Sequence, residues 1–227
     1  MGFSRATAIG IPPRAFDINA AMAGIGMNFA VEPDGDADIE TTLVRASELG
    51  MEVGDYRVLG VLTAWMGIHI ARVNADRLIR LVSTHPSVRV RAYWSAVAVW
   101  QTKDRRFARL MGAHKGPRID LLSAGTEFRI SRRGEDERFR DSALRVPGGV
   151  LRDRESDVLS PSALVRFHVG YRNRVLIGPT WRADVWTVLE REPGLRVADV
   201  ARHVGCSFAT AWQVARDHAL WRNVTSD

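Results

Sequence analysis

The stretch "DGDADIE", residues 34–40, sets Asp34, Asp36 and Asp38 at alternate positions, a spacing that could gather a divalent cation. A calcium loop begun at Asp34 would need glycine at 39 and glutamate at 45, where Ile39 and Arg45 stand. A nucleotidyl-transfer site would place a Gly-Ser turn ahead of the acids, and that turn is missing. Acidic residues ahead of a helix explain the run without metal, because they complement the helix dipole. "AGIGMNF" offers Gly24 and Gly26 but lacks the third glycine of a dinucleotide loop. The six histidines are scattered, with no H-x-x-x-H pair and no cysteine cluster beside them, and no G-x-S-x-G nucleophile turn occurs. These residues predict no catalytic group, no metal and no cofactor.

Binding chemistry is better represented. The net charge is +6, yet residues 1–60 carry four Arg against nine Asp and Glu, so the excess of cations lies beyond them. Between 103 and 175 seventeen Lys and Arg face ten acids, a field that attracts polyanions. Lys103 and Lys115 are the only lysines, and arginine suits bidentate phosphate contacts, although GC-rich codon usage produces the same bias. Arg105, Arg106, Arg132, Arg133, Arg172 and Arg174 are the expected accessory phosphate-binding residues. "KDRRFARLM" and "RRGEDERFR" add Phe107 and Phe139, which could stack on single-stranded bases, against the plainer reading of solvated charges.

The most specific spacing is "VADVARHVGCSFATAWQVARDH", residues 197–218. Two helices that cross steeply need a small residue at closest approach, a residue tolerant of positive φ at the turn, and apolar anchors for the second helix. Ala201 supplies the first, Gly205 the second, and Val200, Val204, Cys206, Ala211 and Val214 the anchors. The combination resembles bacterial helix-turn-helix transcription regulators, whose turn pattern G-[VCI]-S-x-x-T stands here as "GCSFAT"; the likeness covers about forty residues. It implies that the helix at about 207–220 enters the major groove of double-stranded DNA, with Ser207, Phe208, Thr210, Trp212, Gln213 and Arg216 as DNA-binding residues. Gln213 suits adenine and Arg216 phosphate or guanine. Phe208 and Trp212 can meet thymine methyls, but large aromatics on such a face more often pack on another domain or a partner protein. Residues 180–222 hold six Arg and five acids, so this near-neutral unit needs cations from elsewhere or a homodimer for tight binding.

A neutral reader joined to a larger body is more loosely similar to antitoxins of the abortive-infection type, with the reader last rather than first. That likeness implies a toxin as protein partner, transcription regulation and a bacterial cytoplasmic setting. The alternative is a protein–protein adaptor or defence-system subunit that docks through the three helices.

The elements that must hold these residues are expected to form an α+β, mainly helical fold. Residues 1–35 read as a loosely ordered arm, whose double proline and Arg14 break the apolar run of an export signal. Residues 36–178 read as the body. Within it, 36–112 form a helical bundle, with Asp36 or Asp38 and Asn74 as caps, Gly50 as a stop, and "DYRVLGVLTAWMGIHIARV" as a nearly all-round buried helix. Segment 113–178 is expected to carry a small antiparallel β segment from "RIDLLS", "TEFRISR" and "ALRVPGG", then a helix capped by Ser160. Residues 179–227 form the helix-turn-helix module, too short after Leu220 for a wing. The longest apolar run, 58–71, is too short to span a membrane.

Overall fold

Local capping chemistry begins most of the helices. Asp17 accepts the amides of Asn19 and Ala20 and starts α1 (Ile18–Gly24), and Asp38 accepts from Thr41 and starts α2 (Ile39–Glu48). Asp55 opens α3 (Tyr56–His69), Asn74 opens α4 (Ala75–Ser83) and Ser87 opens α5 (Val88–Trp100). The computed structural model describes residues 16–225.

The expected arm divides. Residues 1–15 lie outside the described ones, whereas α1 buries Ala21 and Met22 in the main core. The stop expected at Gly50 is also corrected. A π-helical turn, Leu49–Val53, carries the helix onward, and the left-handed Gly54 ends it. Gly50 instead allows close packing, because a Cβ there would run into the side chain of Leu59.

Helix α3 is buried at Val58, Leu62, Trp65 and His69, and α5 buries Tyr93, Trp94 and Val97, so both cross the middle of the body. Their polar atoms are satisfied internally: Trp65 Nε1 donates to the Ile25 carbonyl at 2.7 Å, Trp94 Nε1 to Ser47 Oγ at 3.0 Å.

The chain after α5 differs from expectation. A 3₁₀ run, Arg105–Ala113, buries Phe107 and Leu110, and strand β1 (Ile119–Asp120) follows. "TEFRISR" is not a strand but helix α6 (Thr126–Arg133), and β1 pairs with β2 (Leu144–Arg145) in parallel rather than antiparallel register. The reason is topological. With a helix between them the strands return in the same direction, as a crossover connection requires, whereas antiparallel neighbours need only a tight turn. Phe107 and Phe139 are 2% and 0% exposed, so neither ring is available to stack on bases.

Ser160 caps α7 (Pro161–Phe167) with Pro161 in its first turn, and His168 caps α8 (Val169–Ile177). Three further helices, α9 (Trp181–Arg191), α10 (Val197–Val204) and α11 (Phe208–Thr225), pack on one another around a second apolar cluster that includes Val185, Val200, Val204, Ala211 and Val214. The described residues are thus mainly helical, with one very small parallel sheet among them.

Candidate nucleic-acid interface

Gly205 sets the angle between α10 and α11. Its φ of +79° lies in the left-handed region, and a Cβ would also collide with the guanidinium of Arg80. Arg80, on α4, donates to the Gly205 carbonyl and lies 4.9 Å from the ring centre of Trp181 on α9. The body therefore grips the turn itself. Ala201, 7% exposed, gives the close approach, and Cys206 is half-buried, with its thiol pushed up by burial.

Ser207 starts α11: its hydroxyl accepts the Thr210 amide at 3.1 Å and meets the Thr210 hydroxyl at 2.8 Å. Both residues expected at the DNA are thus first of all capping residues. Beyond them, Phe208, Ala209, Trp212, Gln213 and Arg216 border one shallow concavity of about 550 Å³. Phe208 is 57% and Trp212 51% exposed, and the Arg216 guanidinium lies 5.6 Å from the Trp212 ring centre. This outer face carries no carboxylate; Asp217 points toward α9, where it pairs with Arg182 at 2.9 Å. His218 and Trp186 stack edge to face at 4.8 Å and fix the inner side.

The expected phosphate-binding arginines separate into two groups. Arg105, Arg132 and Arg133 are exposed and make no ion pair among the described residues. Arg106 is committed, bonding Asp104 and the carbonyls of Val73 and Ile70, while Arg172 is half-buried. Arg174 is corrected outright. It is 3% exposed and grips Glu40 with two hydrogen bonds of 2.6 and 2.7 Å and Asp184 with two of 2.7 and 3.1 Å. A phosphate could reach it only by dismantling that network. Burial works against its charge, but the carboxylates of Asp184 and Glu40 outweigh burial and hold the guanidinium protonated.

Sequence reading missed this network and its role. Glu40 also accepts the Asn74 amide at 2.8 Å, and Asn74 Nδ2 donates to Asp184 at 2.7 Å, so α2, α4, α8 and α9 meet at one point. Arg191 adds a bond to the Gly35 carbonyl and an ion pair with Asp36 at 2.8 Å. Within the acidic run, Asp36, Asp38 and Glu40 are thus partners for Arg191 of α9, Arg77 of α4 and Arg174 of α8. Among the described residues no group of three or more His, Cys, Asp or Glu could hold a metal ion, and no helix is long and apolar enough to cross a membrane. Neither a family model, nor a curated protein, nor a solved structure matches the chain.

Proposed function

We propose that this protein is a DNA-binding transcription regulator in which α10 and α11 form a helix-turn-helix and α11 reads the major groove. The observation that carries the reading is the exposed, carboxylate-free face of α11, with Gln213 and Arg216 beside Trp212, set at a left-handed glycine turn. An acid-free face tolerates approach to phosphates, and an amide and a guanidinium are the groups that form bidentate contacts with adenine and guanine. The body would then hold a partner protein, a toxin in the antitoxin reading, and a homodimer would supply two half-sites.

The test is fluorescence anisotropy with the duplex upstream of the protein's own coding sequence and a scrambled duplex, at two salt concentrations. A sequence-specific reader binds the native duplex more tightly, and Gln213→Ala or Arg216→Ala removes roughly 1–3 kcal/mol of that discrimination. Equal binding to both duplexes that salt abolishes overturns the reading.

One observation favours a second reading, a docking module. Two aromatic side chains more than half exposed on one helix face are typical anchors of protein interfaces. In that case Phe208→Ala and Trp212→Ala abolish partner capture while Arg216→Ala leaves it intact.

A further inference from the structure

We infer that α6 carries a second binding surface, for single-stranded nucleic acid, with Phe128 as the base-stacking ring and Arg129, Arg132 and Arg133 as the phosphate-pairing groups. At 100° per residue these four positions fall within one 140° arc of the helix. All four are exposed, and Phe128 is 63% exposed. The Arg132 guanidinium lies over one face of the Phe128 ring, 5.2 Å from its centre, so a planar cation and an aromatic ring stand together at the surface.

The three arginines make no ion pair among the described residues, although acids are near at hand. Glu127, on the same helix, is taken by Arg145, which also pairs with Asp120 at 3.3 Å. The helix dipole accounts for cations in the last turn, at Arg132 and Arg133. It accounts neither for Arg129, further up the helix, nor for an exposed phenyl ring. Exposed stacking rings beside unpaired cations match the two chemistries of a single strand, an open base face and a phosphodiester. A duplex keeps its bases stacked and offers no such face, and one phenyl ring on an eight-residue helix gives little apolar surface for a bilayer.

This surface is independent of α11, and the experiment separates the two. The full chain is titrated with labelled dT12, rU12, a mixed-sequence duplex and vesicles rich in anionic lipid. Phe128→Ala is expected to weaken binding of dT12 or rU12 about tenfold, with Phe128→Tyr restoring it. Replacing the three arginines together by Ala should reduce the log–log salt slope by about two, at roughly 0.7 per phosphate contact on a single strand. Gln213→Ala/Arg216→Ala should leave single-strand binding as it is. Single-strand binding that ignores Phe128→Ala overturns the proposal, as does its loss in the α11 variant. Binding to vesicles alone replaces it with a lipid surface.

Discussion

At His168 both ring nitrogens are already engaged: Nδ1 accepts the Tyr171 amide at 2.9 Å, and Nε2 meets the Ala37 carbonyl at 3.0 Å. A proton on Nδ1 would face an N–H donor. His69 is similarly placed between the Tyr171 hydroxyl at 2.8 Å and the Leu159 carbonyl at 2.9 Å. Burial lowers each imidazole from 6.5 to about 4, with the carbonyl bonds opposing only in part. Between those values the unfolded chain binds protons that the folded chain refuses. Stability is therefore full above about pH 6.5 and falls as pH drops toward 4, on the order of 3 kcal/mol for each histidine. Urea midpoints at pH 7, 6, 5 and 4.5 would follow this fall, and the His69→Gln/His168→Gln variant should flatten it. A midpoint constant over that range in the parent chain rules the account out. His69 lies in the stretch expected to form a nearly all-round buried helix, and it is buried there. His168 was invisible because its carbonyl partner lies 131 residues away.

The elements most legible in sequence are those decided within a few residues. Asp38, Asn74 and Ser160 each cap the helix expected of them, and Gly205 takes the left-handed turn its spacing demanded. The error at 126–133 has an equally local cause: Phe128 and Ile130 alternate like a strand, but the segment is bounded by Gly125 and Gly134, which begin and end a helix. Strand direction could not be inferred once that helix was missed. For the turn, Gly205→Ala is expected to destabilise the fold by roughly 1–2 kcal/mol from backbone strain alone, and to displace Arg80 as well. Arg80→Ala, at an exposed position, should cost less and leave the helices formed. Denaturation of both variants, followed by far-ultraviolet circular dichroism, checks the order; an alanine at 205 as stable as glycine would show that the turn is relaxed.

Across the whole molecule two apolar clusters are joined by buried charge. Arg174→Ala takes the cation from Asp184 and leaves Glu40 only Arg77 at 3.9 Å, and an uncompensated buried charge costs roughly 3–5 kcal/mol. Replacing all three at once, as Glu40→Leu, Arg174→Met and Asp184→Leu, should recover only part of that loss, because the Asn74 amide and Nδ2 then lose their acceptors. If the single variant is as stable as the parent, the network contributes nothing to the fold. Glu40 stands 134 residues from Arg174, which is why no reading of spacing could pair them and why Arg174 looked like a free phosphate ligand. The same feature bears on how such a chain can be rearranged. By sequence, residues 180–225 resemble a cassette that could be cut out and fused to another carrier. Its Asp184 is half of a bond whose other half belongs to the body, and its turn is held by Arg80 from outside. A transplant would carry the outer face of α11 but leave behind the groups that hold it in place, so substitutions on that face are better made within the whole chain than in the three helices alone.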